Sequence, residues 1–193
     1  MNILNPQVQS KYPLSSGMVL IAEPYLNDPG FARTVVLLCE HGDSGTLGFV
    51  LNRPSANTVN MLLPELKLPG VQIFDGGPVQ TDTLQIVHKI PQFLSGVEIL
   101  PGIFWGASYD ELAALNFSAQ NIQPDDVRLF RGYSGWDLGQ LDAEIRQYSW
   151  IIAPADKSIV FHAESGRLWA TALKSLGGDF ALLTHLPPNP MLN

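Results

Sequence analysis

Three segments carry groups able to do chemistry, and two of them are built on glycine. The longest runs Arg131-Gly132-Tyr133-Ser134-Gly135-Trp136-Asp137-Leu138-Gly139-Gln140 and packs a guanidinium, a hydroxyl and two aromatic rings into a short stretch. The others are Asn52-Arg53-Pro54 and Gly76-Gly77-Pro78. Glycines of this kind mark backbone that must turn tightly or be approached closely. Arg53 and Arg131 are suited to grip a carboxylate or a phosphate in a planar fork. Tyr133 and Trp136 offer stacking area, and the amides of Gly76 and Gly77 are able to form an anion nest. With Asn52 and Gln140 these residues make a candidate ligand-binding set. Each segment falls at the end of an apolar run. Strand ends gather at one rim of a curled sheet, so the segments are expected to face a shared cleft. The competing role is structural: the arginines brace loops against backbone carbonyls or acidic residues, and Trp136 belongs to the core.

Ser134 invites comparison with a nucleophile elbow, because it lies between an apolar strand-like run, Val127-Arg128-Leu129-Phe130, and a helix start. The elbow requires glycine two residues before and two residues after the serine. Here Gly132 occupies the first position, but Trp136 stands in the second. Asp156 with His162 or His185 supplies a triad in a permitted chain order, which is not yet a geometry. A hydrolase using Ser134 is therefore an alternative, and structural use of its hydroxyl is preferred.

The histidines His41, His88, His162 and His185 show no metal-ligand spacing, and Cys39 is not part of a Cys-x-x-Cys pair. No metal and no cofactor are expected. Gly42, Gly45 and Gly48 precede a strand rather than a helix, which removes a dinucleotide or phosphate loop. Cys39 lies in the apolar run Thr34-Val35-Val36-Leu37-Leu38-Cys39 and is expected to be a buried, inert thiol.

The elements that must position these groups follow from the apolar pattern. Strands are predicted over 18–22, 34–39, 46–51, 72–74, 84–89, 97–100, 103–105 and 127–130. Their short spacing points to antiparallel pairing. Ser108 and Glu111 form a capping box ahead of a helix. Leu138, Leu141, Ile145 and Tyr148 give the next helix one apolar stripe, with Asp137 as its N-cap and Gln140 at the third position. Trp150–Ala153 and Ser158–Phe161 read as a hairpin. The last helix, with Leu168, Trp169, Ala172, Leu173 and Leu176, stops at Gly177-Gly178. The outcome is a single α+β domain over residues 17–185, with a mobile arm at 1–16 and a tail at 186–193.

The 193 residues carry a net charge of −7, and 15% of them are charged. Nucleic-acid binding needs clustered Lys and Arg. The basic residues here are scattered, so direct contact with nucleic acid or anionic membranes is disfavoured. The low charge content leaves an apolar surface that suits a partner or self-association. No run reaches the length of about 20 apolar residues needed to span a bilayer. The stretch Met1–Pro6 lacks the pattern of a signal peptide, and a cytoplasmic location is expected.

Several of these residues recur together along the chain: Leu20-Ile21-Ala22 with Pro24, Phe31 with Arg33-Thr34-Val35-Val36, Glu40-His41, Gly48, Leu51-Asn52-Arg53-Pro54, Gly76-Gly77-Pro78-Val79, His88, Arg131–Trp136, Gly139-Gln140-Leu141, Glu144, Trp150 and Leu168-Trp169. In this order and combination the chain resembles the YqgE/AlgH family of bacterial proteins. The resemblance implies an α+β fold in which a branched, mostly antiparallel sheet curls into a pseudo-barrel with flanking helices. It implies no established activity and no cofactor. Some members of that family are described as transcriptional regulators, a role that acidic charge would route through a protein partner. The expected function is a non-enzymatic binding or regulatory module recognising a small anion or a protein or peptide partner. The alternatives are the Ser134 hydrolase and a regulator acting on nucleic acid.

Overall fold

A computed structural model describes residues 12–187; most of the N-terminal arm and most of the tail predicted from sequence lie outside them. The chain is α+β. Nine strands form one curled half-barrel sheet in the order β6-β7-β5-β8-β3-β2-β1-β9, with β4 attached to β8 as a branch. The strands are β1 (Met18–Ala22), β2 (Val35–Gly42), β3 (Gly45–Val50), β4 (Ile73–Asp75), β5 (Val79–His88), β6 (Val97–Leu100), β7 (Ile103–Trp105), β8 (Val127–Trp136) and β9 (Trp150–Pro154). All pairings are antiparallel except β4 with β8. The helices are α1 (Val59–Leu62), α2 (Tyr109–Ala113), α3 (Gln140–Arg146), α4 (Lys157–Val160), α5 (Ser165–Leu176) and α6 (Gly178–Leu183).

Alternation along the strands divides the buried side chains between layers. Val35, Leu37 and Cys39 face the core that α5 covers with Leu168, Trp169, Ala172 and Leu173. Val36 and Leu38 point to the opposite side, where they meet Trp136, Leu141 and Trp150. Period-two alternation on a sheet buried on both faces produces this pattern. A third cluster, including Leu66, Ile86, Leu112 and Leu129, lies under α1 and α2. Cys39 is buried, and loss of solvation pushes its thiol well above the usual value.

The predicted strands fall on β1–β7, although β2 runs on to Gly42 and β5 begins at Val79 rather than Leu84, and the Ser108–Glu111 capping box is present. Four local expectations are corrected. Residues 158–160 belong to helix α4, with Phe161 as its C-cap, rather than to a second hairpin strand, because the Asp156 side chain accepts from the Ile159 amide and caps a helical turn. The helix α3 proper begins at Gln140. Asp137 is not its cap, although Gln140 Oε1 accepts from the Asp137 amide at 3.0 Å. Leu138 therefore lies outside the apolar stripe and is 72% exposed. The pair Gly177-Gly178 ends α5 but also opens α6.

The fourth correction matters most for the site. The strand expected to end at Phe130 continues to Trp136 as β8. Its first half is held on both flanks, by β4 and by β5. Its second half changes partner, pairing Gly48 with Ser134 and Thr46 with Trp136 on β3. Gly132 makes the transition with φ +65°, and a Cβ there would stand 2.7 Å from the Gly77 carbonyl oxygen. Gly77 closes the same joint from the other side. A Cβ on it would overlap the Tyr133 carbonyl carbon and the Ser134 amide nitrogen. The glycines are thus needed where two backbones touch within a continuing strand.

Candidate functional site

The second half of β8 determines where each candidate side chain goes. Ser134 is fully buried inside the strand, and its hydroxyl donates to the Gly76 carbonyl at 3.0 Å. The same carbonyl accepts from the Val50 amide at 2.9 Å. The strand–turn–helix context needed for a nucleophile elbow is absent at this position, and the hydroxyl is committed to joining β8 to the β4–β5 connection. Asp156, the triad acid considered from sequence, caps α4, and contacts with Ser158 and the Ile159 amide hold its carboxyl below the usual range.

Asn52 is buried and clamps the start of β2, accepting from the Val35 amide at 3.0 Å and donating to the Arg33 carbonyl at 2.9 Å. Arg53 donates to the Ala32 carbonyl at 2.6 Å. Arg131 Nε donates to Asp75 Oδ1 at 3.0 Å, so its guanidinium has an internal carboxylate. The Gly76 amide is taken by the Arg131 carbonyl at 2.9 Å. Asn52 and Gly76 have their polar groups committed to the fold, Arg53 and Arg131 each have one internal partner, and the Gly77 backbone is wedged against β8.

The remaining candidates are distributed among three surface clefts rather than one. Arg131 borders an apolar cleft of about 380 Å³ between α1, β5 and α2, with Leu62, Leu84 and Leu112 among its walls. Tyr133 lines a groove of about 390 Å³ at the β3–β8 end, beside Glu40, Leu47 and Asp137. Trp136 borders that groove and also, with Gln140, a third cleft of about 300 Å³. Asn52, Arg53, Gly76 and Gly77 line none of these three.

The third cleft is the most organised. The turn over Asp28–Phe31 closes one side, held by Asp28 Oδ1 accepting from the Gly30 amide at 2.8 Å. Thr34 fixes the Phe31 carbonyl with its hydroxyl at 2.8 Å. Phe31 meets Trp150 edge to face at 5.5 Å, and Trp136 meets Trp150 edge to face at 6.1 Å between ring centroids. Such perpendicular packing is the favoured arrangement of aromatic quadrupoles. From α3, Glu144 reaches under both indoles. Its Oε2 accepts from Trp136 Nε1 at 2.9 Å and from Trp150 Nε1 at 2.7 Å, while Oε1 accepts from Gln140 Nε2 at 3.0 Å. All three donors are neutral. No Lys, Arg or His forms an ion pair with Glu144 among the described residues. Asp28 at the rim adds a second carboxylate, and no basic residue lines the cleft.

Sequence reasoning finds Trp136 and Gln140 but gives no site role to Phe31, Glu144 or Trp150, of which Trp150 is read only as a strand residue and the other two enter through the family resemblance. The available signal is the spacing of Gln140 and Glu144, one helical turn apart, which puts both on one face of α3. The convergence of two distant indoles on that face is set by tertiary packing.

His88 is engaged within the fold. His88 is buried, with Nε2 3.0 Å from the Ser95 carbonyl and Nδ1 accepting from the Ile90 amide. Burial holds its basicity below the ordinary histidine range, consistent with a neutral ring serving as a structural bridge. No group of three or more His, Cys, Asp or Glu residues that could hold a metal occurs among the described residues. No helix among them is long and apolar enough to cross a membrane.

Comparison with known proteins agrees with this architecture. The family model described as DUF179, AlgH-like, matches residues 19–181. A UPF0301 protein of Chlorobium phaeobacteroides is 38% identical over 181 residues, covering 93% of this chain and 96% of its own length. A UPF0301 protein of Cytophaga hutchinsonii is also 38% identical, over 182 residues, covering 93% of this chain and all of its own. A crystal structure of a Corynebacterium diphtheriae protein superposes with a TM-score of 0.77 at 26% identity, covering 93% of this chain and 96% of that one. The solution structure of the AlgH protein from Pseudomonas aeruginosa gives 0.65 at 31% identity, covering 97% and 98%. The chain belongs to the AlgH-like, UPF0301 family.

Proposed function

We propose that this protein is a non-enzymatic recognition module that holds a protein partner at the corner where β8 meets α3. The observation that carries this reading is the cleft formed by Phe31, Trp136 and Trp150 over the Glu144 carboxylate. Ligand sites are typically concave and largely apolar, with a few fixed polar groups. A volume of about 300 Å³ lies at the small end of the roughly 300–1,000 Å³ range of such sites. It suits one inserted side chain better than a nucleotide-sized molecule. Enclosure of Ser134 argues against acyl transfer. The Arg131 charge is already paired with Asp75 through Nε, which makes a free-anion site the weaker reading. Regulation through direct nucleic-acid contact is likewise weakened by the net charge of −7.

The test is a photoreactive amino acid in place of exposed Leu138, two residues from both Trp136 and Gln140, with Ala163 as a control on a remote exposed loop. Illumination in cells of the native host is expected to give a discrete protein adduct from position 138 and none from 163. Adducts from neither position, or from both alike, would contradict the reading.

A further inference from the structure

We infer that the Phe31–Trp136–Trp150 cleft takes a cationic group, the guanidinium or ammonium of an Arg or Lys side chain on the partner. This assignment rests on the recognition reading above and specifies its chemistry. The cleft joins two features that act in the same direction. Aromatic rings attract a cation through their quadrupoles, and the aromatic wall here is a half-buried Phe31 backed by two indoles that are 5% exposed. The ionised groups lining the cleft, Asp28 and Glu144, are both acidic. Glu144 is held by two indole N–H groups and one amide N–H at 2.7–3.0 Å, so neutral dipoles fix its position while its charge has no ionic partner among the described residues. Elsewhere in the molecule guanidiniums already rest on aromatic rings. Arg33 lies 4.6 Å from the Trp169 ring and Arg128 lies 4.7 Å from that of Phe74. At the Trp136–Trp150 corner no internal cation fills that place among the described residues. A neutral or anionic insert would meet the same walls without the electrostatic gain, and an anion would meet two like charges.

The experiment follows the indole Nε1–H resonances of ¹⁵N-labelled full-length protein during titration with N-acetyl-arginine amide. N-acetyl-citrulline amide, a neutral molecule of nearly the same shape, is the control. Saturable shifts of the Trp136 and Trp150 resonances are expected with the arginine compound, while Trp105 and Trp169 stay in place. Citrulline is expected to bind at least about tenfold more weakly, a difference of about 1.4 kcal/mol. Because Glu144→Gln also disturbs the indoles, Asp28→Asn serves as the second variant. It retains an oxygen for the Gly30 amide and removes only the rim charge, and it is expected to weaken the arginine titration several-fold. Equal response to arginine and citrulline, or no response of either cleft indole to arginine, would overturn the assignment. Adducts at position 138 without an arginine response would leave the recognition module standing and remove its cationic ligand.

Discussion

Two corners of one strand treat an ionised side chain in opposite ways. At the middle of β8, Arg131 receives a carboxylate from the neighbouring strand, since Asp75 and Arg131 are direct partners in the β4–β8 register. At the far end of β8, Glu144 receives only neutral N–H donors, two from indoles and one from Gln140. At the arginine corner the fold itself supplies a counter-charge, even though sequence suggests a site there. The glutamate corner is geometrically rigid and electrostatically open. Chemical promise in a residue type is therefore a poor guide compared with asking which charges the fold has already neutralised.

The comparison rests first on the joint that separates the corners. Gly77→Ala should destabilise the protein by about 3–5 kcal/mol, since its new Cβ overlaps the Tyr133 backbone. A urea transition would show this as a large drop in midpoint. A near-neutral result would mean the two halves of β8 are not locked together there. Next, Glu144→Ala leaves two indole N–H groups of nearly buried tryptophans without an acceptor, at a cost of roughly 2–3 kcal/mol. Ser134→Ala should cost only about 1 kcal/mol, because the Gly76 carbonyl keeps its bond to the Val50 amide. Asp75→Asn should be smallest, about 0–1 kcal/mol, since that ion pair is partly exposed and screened by solvent. If Asp75→Asn proved as damaging as Glu144→Ala, the contrast between the corners would collapse.

Much of the frame was legible from the chain alone. The continuous apolar runs Met18–Ala22 and Val35–Cys39 mark two strands of the sheet, and Ser108 with Glu111 marks the start of α2. The failures share a cause. Ile159, Val160 and Phe161 look like strand residues, yet one capping aspartate at position 156 tips the first two into a helix that Phe161 ends. Gly132 and Gly135 look like a turn, yet β8 runs through both, and Gly132 serves close backbone contact with Gly77. The cleft was less legible still. Trp136 could be singled out by its place in a glycine-rich segment. That Phe31 and Trp150 would stand beside it depends on the β1–β9 and β1–β2 pairings, which no local pattern encodes. The guanidiniums misled for the same reason: Arg53 is held by a carbonyl from the loop before β2 and Arg131 by a strand more than fifty positions away.

The most direct test combines the partner with its proposed anchor. Crosslinking from position 138 is repeated in host lysate with increasing N-acetyl-arginine amide, and in parallel with N-acetyl-citrulline amide. A partner anchored by a cationic side chain in the Phe31–Trp136–Trp150 cleft should lose its adduct as the arginine compound rises and keep it with citrulline. An adduct that survives saturating arginine would contradict the account.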